Sequence, residues 1–225
     1  MKKPFESWAV RFGETGARVI QFPSETLVRL MKGNYVRGFD RNYDGKRVLE
    51  VGFAYGANLQ FMKGLGLEVY GVEVHTDICK MMTERLLGLG IPCVLKPGSN
   101  REIPFPDGFF DYLVSWDTLH YEITEELVYE AIREFGRVLK PAGRFFLSTV
   151  APGHTILLQA ERLDQHRYRI REETFRKGEI FFCLDSPGFI EKCFSTQFQH
   201  LQIGRTTIDL FESVNDCFVA TGVKA

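Results

Sequence analysis

The sequence predicts an α/β fold in which a mainly parallel sheet carries helices on both faces. Two observations lead to this prediction. From Lys46 onward, short apolar runs alternate with segments of helical periodicity, and such alternation produces right-handed crossovers between parallel strands. The apolar run at 48–51 also breaks into a turn of small residues that leads into a helix at Ala57. A turn of this kind lets a ligand approach the backbone and the amides at the helix start.

The expected strands and helices follow one another in a regular order. Strands are predicted at about 46–52, 68–73, 91–95, 111–115 and 144–149, with helices at about 57–64, 76–87 and 124–139. A further helix is expected from Asp185-Ser186-Pro187 through Phe194. Residues 197–208 and 215–223 are close in sequence and predict a final antiparallel hairpin.

Length and patterning predict a single domain for residues 1–225. Its parts are an N-terminal helical segment or lid (1–45), a ligand-binding core (46–150), an insert (151–184), and a final helix with the hairpin (185–225). Apolar residues have helical spacing at 5–12 and again after Pro23. The insert is polar and charged, which by itself predicts a solvated face.

Composition narrows the class of partner. The 225 residues carry a formal net charge of −1, so no basic surplus indicates a nucleic-acid or anionic-membrane partner. No apolar run approaches the ~20 residues that span a bilayer, and the first residues lack the apolar core of a signal peptide. The five cysteines form no CxxC pair, which favours free thiols in a reducing cytoplasm over a metal site.

Two acids mark the strand ends around the small-residue turn. Glu50 lies within the end of the first strand, just before Gly52, Ala54 and Gly56. A carboxylate there would repel the pyrophosphate of a dinucleotide and suits a ligand with cationic or hydroxyl groups. Glu73 closes the second strand about twenty residues later, where an acid accepts hydrogen bonds from the two hydroxyls of a ribose.

Two turns further along complete the pattern. A rigid turn with two prolines at 103–111 leads into the fourth strand, and a turn at 139–144 precedes the fifth. With the turn at 48–56 and Glu73 in this order, the chain resembles the class I S-adenosylmethionine-dependent methyltransferases over roughly residues 46–150. The resemblance implies a Rossmann-like seven-stranded sheet in the order 3-2-1-4-5-7-6, with the last strand antiparallel and S-adenosylmethionine across the C-terminal ends of the first strands.

The resemblance also assigns individual residues to the cofactor. Glu50 and Gly52 fall near its methionine part, and Glu73 matches the acid that binds the ribose. Ser99 or Asn100 follows the third strand, where the family often has an aspartate that faces the adenine amino group. The full set of expected cofactor residues is Glu50, Gly52, Phe53, Ala54, Tyr55, Gly56, Glu73, Val74, Ser99, Asn100, Ser115 and Trp116.

Two positions depart from the family pattern. Ala54 stands where the family usually has a second glycine. Because alanine resists positive φ, the turn is expected to pass there with negative φ or to sit farther from the ligand. Ser99 replaces the aspartate, which weakens adenine recognition unless the amide of Asn100 substitutes for it. Both changes are compatible with cofactor binding.

Methyl transfer from a sulfonium is an in-line displacement that depends mainly on positioning. The ring face of Tyr55 or Trp116 would stabilise the cation. His120 is expected at the mouth of the cleft, as a base for an acceptor that must lose a proton, and Tyr121 beside it is the second catalytic candidate. The alternative that these two residues only begin a helix stays open. The 151–184 insert is a natural place for acceptor recognition.

The sequence therefore predicts methyl transfer from S-adenosylmethionine to a small-molecule acceptor, without nucleic-acid or membrane partners. The motif of exocyclic-amine methylation is absent at 115–118, but oxygen, nitrogen, sulfur and carbon acceptors stay open, as does the oligomeric state. One alternative is a non-catalytic S-adenosylmethionine-binding or scaffold protein. Another is a nicotinamide-dependent oxidoreductase, because Gly52, Ala54 and Ala57 loosely follow dinucleotide spacing. Glu50 and the turn at 103–111 speak against it.

Overall fold

The computed structural model describes residues 11–12, 22–171 and 176–225. Its main sheet contains β1 (Arg47–Val51), β2 (Glu68–Glu73), β3 (Cys93–Pro97), β4 (Phe110–Trp116), β5 (Leu139–Val150), β9 (Phe198–Leu210) and β10 (Ser213–Lys224). A separate small sheet contains β6 (Glu161–Arg162), β7 (Arg167–Arg169) and β8 (Ile180–Phe182). The described helices are α1 (Glu25–Lys32), α2 (Ala57–Gly64), α3 (Thr76–Gly88), α4 (Glu125–Val138), α5 (Thr155–Leu158) and α6 (Pro187–Phe194), with a 3-10 turn at Leu119–Tyr121.

The strand order in the main sheet is β3-β2-β1-β4-β5-β10-β9. β1 pairs in parallel with β2 and with β4, whereas β10 runs antiparallel to β5 and β9. When only the strands of this sheet are counted, the predicted order 3-2-1-4-5-7-6 is confirmed. Because the order reverses between β1 and β4, the C-terminal ends of these strands open a crevice.

Helices cover both faces of the sheet and bury two apolar clusters. One cluster lies on the side of α4 and α6 and includes Phe135, Phe145 and Phe194. The other lies on the side of α1, α2 and α3 and includes Leu59 and Met82. The core therefore consists of two layers, and the strands between them are buried on both faces, as expected of a parallel sheet.

Helix α4 shows how the sequence forms these elements. The Oγ1 of Thr124 caps the first turn by accepting a hydrogen bond from the N–H of Leu127 at 3.3 Å. Apolar residues then recur at the spacing of one helix face, and Val128, Ile132 and Phe135 are fully buried. Burial of that face, rather than helix propensity, supplies most of the stability of such a helix.

The described part of the N-terminal segment packs against the second cluster. Leu27 and Met31 of α1 are buried, and the hydroxyl of Tyr43 donates to the carbonyl of Met31 at 2.6 Å. Most of the helix predicted at 5–12 lies outside the described residues. The lid predicted for residues 1–45 therefore stays a prediction.

The strand boundaries differ from the prediction most clearly at β5. The sequence predicts a strand that begins at Arg144, but β5 begins with Leu139 paired to Phe110. Regular pairing resumes at Arg144, so residues 140–143 bulge out of the ladder. Ala142 in the bulge has a φ of 60°. A proline and a left-handed residue conceal this strand start from an analysis of hydrophobic pattern.

The 151–184 insert contains structure that the sequence did not predict. Helix α5 and the small sheet surround an apolar cluster of Tyr121, Val150, Leu157, Ile170, Phe181 and Cys183. The strands β6, β7 and β8 have only two or three residues each, too few to show an alternating pattern. Through this cluster the insert packs directly against the 3-10 turn that follows β4.

None of the described helices is long and apolar enough to cross a bilayer. Within the described ranges, no three His, Cys, Asp or Glu side chains are grouped as metal ligands would be. All five cysteines are free thiols.

Candidate functional site

A cavity of about 240 Å³ opens at the C-terminal ends of β1, β2 and β4. It lies at the reversal of strand order, where ligands bind in open α/β sheets. Seven of the predicted cofactor residues line it, namely Gly52, Ala54, Glu73, Val74, Ser99, Asn100 and Trp116. Asp117, Thr118, Tyr121 and Arg176 line another part of the same cavity. The structure thus brings residues from four strand ends and from the insert together at one edge of the sheet.

The turn after β1 has a left-handed backbone at three positions. The φ angles of Gly52, Ala54 and Gly56 are 72°, 44° and 72°. The prediction of negative φ at Ala54 is therefore wrong, and a left-handed alanine costs roughly 1–2 kcal/mol. Gly52 is needed for a second reason, because a Cβ there would collide with the side chain of Thr118. The turn is consequently pressed against the end of β4.

Glu73 is held by the backbone around it. Its Oε1 accepts from the N–H of Val74 at 2.8 Å, and its Oε2 accepts from the N–H of Ala54 at 3.4 Å. The second bond accompanies the left-handed backbone of Ala54 and links the turn to β2. Burial raises the pKa of Glu73, and the two N–H groups oppose that rise. Each carboxylate oxygen keeps a lone pair that can accept from a ligand hydroxyl.

Glu50 lies behind the turn, is only 2% exposed, and does not line the cavity. Its Oε1 accepts from Nδ2 of Asn58 at 2.7 Å, whereas Oε2 has no hydrogen-bond partner among the described residues. Burial raises the pKa of Glu50 to about 8, the Asn58 bond opposes the rise, and the nearby Glu73 adds to it. A buried carboxylate with an unpaired oxygen is costly unless a cation or donor approaches it.

Asn100 connects the ends of two strands, whereas Ser99 makes a local hydrogen bond as an acceptor and keeps its hydroxyl hydrogen as a donor. Nδ2 of Asn100 donates to the carbonyl of Thr118 at 3.2 Å and to Oε1 of Glu122 at 3.1 Å, and its Oδ1 accepts from Oγ1 of Thr118 at 3.2 Å. Both amide hydrogens are therefore in use. Oγ of Ser99 accepts from the N–H of Arg101 at 3.3 Å. The adenine amino group needs an acceptor, and Oδ1 of Asn100 accepts from Thr118 but keeps a second lone pair, so the role of Asn100 in place of an adenine-binding aspartate stays a prediction.

The far side of the cavity centres on Asp117, which immediately follows β4. Its φ of 56° is left-handed, and its Oδ1 accepts from Oγ of Ser148 at 2.7 Å. Burial raises the pKa of Asp117, and the Arg176 guanidinium opposes the rise. That guanidinium lies 5.9 Å from the ring centroid of Tyr121 and 5.5 Å from that of Phe181. Strained residues at ligand clefts are often functional.

Comparison with known proteins agrees with this geometry. Residues 49–147 match the family model described as a methyltransferase domain. The protein-L-isoaspartate O-methyltransferase of Methylorubrum extorquens is 27% identical over 57% of this chain and 52% of its own. The fatty-acid O-methyltransferase of Mycolicibacterium smegmatis is 28% identical over 50% of this chain and 40% of its own. The chain thus spans about half the length of the curated relatives it matches.

Solved structures of S-adenosylmethionine-dependent methyltransferases have the same fold. One from Methanosarcina mazei has a TM-score of 0.68 at 14% identity and covers 80% of this chain and 93% of its own. One from Aquifex aeolicus has a TM-score of 0.59 at 17% identity and covers 98% and 100%. Residues 49–147 of this chain thus match a methyltransferase domain, and the fold is that of solved S-adenosylmethionine-dependent methyltransferases.

The match to a methyltransferase domain implies S-adenosylmethionine as the cofactor, and the residues around the cavity can be compared with it. Glu73 offers acceptor lone pairs at the end of β2, as a ribose requires. Glu50 lies behind the turn and outside the cavity lining, so its assignment to the methionine part stays a prediction. Gly52 leaves room where a side chain would not fit. Five of the lining residues from the ends of the first three strands are called the cofactor wall below, namely Gly52, Ala54, Glu73, Val74 and Ser99.

His120 does not lie at the mouth of the cleft of this domain, so that expectation is wrong. The side chain is 1% exposed, and its ring centroid lies 4.2 Å from that of Phe181 and 4.5 Å from that of Tyr121. Neither ring nitrogen has a hydrogen-bond partner among the described residues. Burial holds the pKa of His120 well below its ordinary value. The 3-10 turn directs His120 into the insert's apolar cluster, while Tyr121 lines the cavity.

Four further predicted cofactor residues lie beside the cavity rather than on its surface. Phe53 packs closely over Gly71 of β2. Tyr55 stacks on Phe12 with ring centroids 4.2 Å apart, so Trp116 is the one of the two proposed sulfonium aromatics that lines the cavity. The remaining two are Gly56, which caps helix α2, and Ser115, whose Oγ lies 2.9 Å from Oγ1 of Thr118. These four shape the turn and strand ends from behind.

Sequence reasoning missed Asp117, Thr118 and Arg176. Asp117 and Thr118 could have been found, because polar residues directly after a parallel strand reach the ligand edge of the sheet. Arg176 has no such signal, since it comes from the insert, where no regular element was predicted.

Proposed function

We propose that this protein transfers the methyl group of S-adenosylmethionine to a small-molecule acceptor. The observation that supports the proposal is that a second group of residues lines the same cavity. Trp116, Asp117, Tyr121 and Arg176 line the same cavity as the cofactor wall, and these four residues are called the acceptor wall below. A cofactor and an acceptor held in one cavity can be aligned for direct transfer.

The cofactor wall supports one orientation of the ligand. Glu73 binds the ribose hydroxyls, and the turn from Gly52 to Gly56 lies against the methionine part. The amino group of that part then lies on the cavity side of the turn, and its charge acts through space on Glu50 behind the turn, whose Oε2 is unpaired among the described residues. An adjacent cation favours the ionised form of a carboxylate and lowers its pKa. The cofactor would thus relieve the electrostatic cost of burying Glu50.

When bound, S-adenosylmethionine supplies a methyl group that is already activated on a sulfonium. The chain's own task is to align an acceptor atom with that methyl, and such alignment can supply ~7–11 kcal/mol of the barrier reduction. Asp117 is the proposed proton acceptor. Its Oδ1 is fixed by Ser148, whereas Oδ2 takes no hydrogen bond from the described residues. Because burial raises its pKa, the carboxylate is a stronger base than an exposed aspartate.

The remaining residues of the acceptor wall define what sort of molecule fits. Trp116 and Tyr121 present aromatic side chains to the cavity, which favours an acceptor with an apolar or aromatic body. Tyr121 is kept as a catalytic candidate because it lines the cavity beside Arg176. His120 is replaced by Asp117 as the proposed base.

The net charge of the chain supports a small acceptor. The names of the relatives refer to protein L-isoaspartate, fatty acid and tRNA, so relatives alone leave the acceptor class open. The insert contributes the side chain of Arg176 to the cavity lining. The net charge of −1 disfavours tRNA, since nucleic-acid affinity comes largely from phosphate contacts.

The test is to incubate the protein with methyl-labelled S-adenosylmethionine and a cell extract, and to separate the products by size. We expect label in the small-molecule fraction, and none there with Asp117→Asn. Label confined to protein or RNA would refute the small-molecule acceptor. Calorimetric binding of S-adenosylmethionine without label in any fraction would favour the non-catalytic alternative, and saturable NADH binding in its place would favour the oxidoreductase.

A further inference from the structure

The structure assigns a second ligand site, for a small monocarboxylate, to a cavity at the opposite end of the sheet. This second cavity has a volume of about 260 Å³ and lies where β4 and β5 begin. Phe39 of the N-terminal segment forms one wall, and Tyr112 and Arg144 form another. Its lining shares no residue with the methyltransferase cavity. The inference is therefore independent of the proposed function.

Arg144 is the residue that points to a ligand. Arg144 is only 7% exposed to solvent. Among the residues that the structure describes, it makes one hydrogen bond, from Nη1 to Oγ1 of Thr221 at 3.2 Å. Its guanidinium carbon lies 5.0 Å from the ring centroid of Phe39. A guanidinium carries five N–H donors and stays charged, so most of the donors of Arg144 have no acceptor in the described protein.

Arg137 shows how this fold otherwise treats a partly buried arginine. It makes five hydrogen bonds, to the carboxylates of Glu134 and Asp107 and to two backbone carbonyls. Arg144 is buried more deeply yet makes one. Burial of a charge without a counterion is costly, and burial lowers the pKa of Arg144. A bidentate anion would supply the missing acceptors, since the planar fork of a guanidinium matches a carboxylate.

The charges around the second cavity fit one negative charge. Lys46, Lys140 and Arg144 are cationic, and Asp40 and Asp111 are anionic, which leaves a net charge of one positive unit. Nζ of Lys140 donates to both oxygens of Asp111 at 2.8 Å, so this pair neutralises itself. A polyphosphate would be repelled by the carboxylates of Asp40 and Asp111. Lys46 and Arg144 alone would not balance its charge. A monoanion is the better match.

The walls of the second cavity favour a carboxylate with an apolar body. The Phe39 ring stacks with the guanidinium of Arg144, and Nζ of Lys46 lies 5.7 Å from the ring centroid of Tyr112. Burial raises the pKa of Tyr112 to about 12, with Asp111 and Asp40 adding to the rise. Its hydroxyl is therefore protonated at neutral pH and can donate to an anion. Phe39 and Tyr112 contact each other edge to face with ring centroids 6.1 Å apart, so an apolar body can pack against the surface of these two rings while its carboxylate meets Arg144.

The experiment uses 4-fluorobenzoate as the probe and 4-fluorobenzamide as its neutral match. Binding is followed by fluorine NMR on the full chain, with excess S-adenosylhomocysteine present to compete for the methyltransferase cavity. We expect the acid to bind more tightly than the amide by about tenfold or more, because only the acid forms charge-assisted bonds. Equal affinity of the acid and the amide, or no saturable binding of the acid, would overturn the proposal.

Variants locate the site. Arg144→Gln should weaken binding of 4-fluorobenzoate by about tenfold or more, whereas Arg133→Gln, an exposed arginine on α4, should leave it unchanged. Circular dichroism checks that Arg144→Gln folds. If Arg144→Gln does not fold, binding is measured on Lys46→Gln instead. This variant removes the net positive charge of the second cavity and should weaken binding of 4-fluorobenzoate several-fold. Unchanged binding in the folded Arg144 variant, or in Lys46→Gln, would contradict the site.

Competition with inorganic phosphate shows whether the second cavity prefers a carboxylate or a phosphate. If the site is built for a carboxylate with an apolar body, phosphate should displace 4-fluorobenzoate only at much higher concentration. Displacement at an equal or lower concentration would overturn the assignment to a carboxylate.

Discussion

The cofactor wall and the acceptor wall line a single cavity, yet they are built in different ways. The cofactor wall consists of backbone turns at consecutive strand ends, and its acid, Glu73, is held by two backbone N–H groups. The acceptor wall depends on side chains that converge from distant parts of the chain. Asp117 is fixed by Ser148 of β5, and Arg176 comes from the insert.

This difference explains how one fold can keep its cofactor while its acceptor changes. The shape of a wall made of backbone turns depends on its glycine positions and on the strand register. Few substitutions in such a wall leave cofactor binding intact. A wall made of side chains on a turn and an insert can be altered without disturbing the sheet. The two walls should therefore respond differently to mutation, and each prediction below tests that separation.

The largest effect is expected at the acceptor wall. Asp117→Asn keeps the shape and the bond from Ser148 but removes the base, so kcat should fall by roughly 10²–10⁴-fold for a protic acceptor. Cofactor affinity should stay the same. The measurement is steady-state kinetics once the acceptor is identified, with the exposed Asp77→Asn as control. An unchanged kcat would remove Asp117 as the base.

The activity should also depend on pH in a defined direction. Burial raises the pKa of Asp117 above its ordinary value, and the base acts only when deprotonated. Turnover should therefore fall as the pH drops through this raised pKa, and Asp117→Asn should abolish that limb of the profile. The same acidic limb in the variant would assign it to another group.

The next largest effect is expected at the cofactor wall. Glu73→Gln should weaken S-adenosylmethionine binding by about 1.5–3 kcal/mol, because the ribose would lose hydrogen bonds to a charged acceptor. Glu68→Gln is the matched control, since Glu68 begins the same strand at its exposed end. Titration calorimetry provides the affinities. Equal affinities for the two variants would refute the ribose role of Glu73.

Behind the cofactor wall, Glu50 should make stability depend on pH. Its pKa rises from 4.5 to about 8 in the folded protein. Between these values the folded state holds a proton that the unfolded state has lost. The free energy of unfolding of the cofactor-free protein should therefore fall as pH rises, by up to about 1.4 kcal/mol per pH unit.

Urea unfolding over this pH range measures the slope. Glu50→Gln removes the titration and should flatten it, whereas Glu68→Gln should retain it. Addition of S-adenosylmethionine should restore stability at the upper end of the range, because the charge of its amino group acts through space on the ionised carboxylate. A slope that persists in Glu50→Gln would show that another group causes it.

A smaller effect is expected at Ala54. Its φ of 44° costs roughly 1–2 kcal/mol for alanine. Glycine would relieve this strain, but part of the stabilisation would be lost because glycine makes the unfolded chain more flexible. Ala54→Gly should therefore stabilise the protein by about 0.5–1 kcal/mol. Ala57→Gly, in the helix that follows, should destabilise it instead. Thermal unfolding compares the two variants, and the same sign in both would contradict the strain at Ala54.

The smallest effect is expected at His120, behind the acceptor wall. His120→Phe keeps a ring against Phe181 and Tyr121 and removes two buried nitrogens without partners among the described residues. Turnover should change only a few-fold, and the free energy of unfolding should stay the same or rise by about 1 kcal/mol. A loss of turnover as large as that of Asp117→Asn would return His120 to the chemistry.

The sequence predicts the sheet well, and seven of the residues that it singles out line the cavity, because both depend on local pattern. The apolar runs, the turn at 52–56 and the acid that closes β2 are each visible within a few residues of one another. Backbone dihedrals are less visible. The left-handed φ of Ala54 depends on a turn compressed between Glu73 and Thr118, and alanine by itself favours the opposite sign.

The acceptor wall is harder to predict, because the direction of a side chain on a short turn depends on what packs against it. His120 and Tyr121 are adjacent in sequence and both rings contact Phe181, yet Tyr121 lines the cavity and His120 does not. The decisive neighbour, Phe181, lies in a strand of only three residues. Such a strand has no periodicity to detect.

The separation of the two walls is tested most directly by measuring both affinity for S-adenosylmethionine and turnover on Glu73→Gln and Asp117→Asn together. The account predicts that Glu73→Gln weakens cofactor binding while kcat at saturating cofactor is largely retained, and that Asp117→Asn lowers kcat at unchanged cofactor affinity. Two variants that impair the same parameter, or a wild-type protein that binds no S-adenosylmethionine, would contradict it.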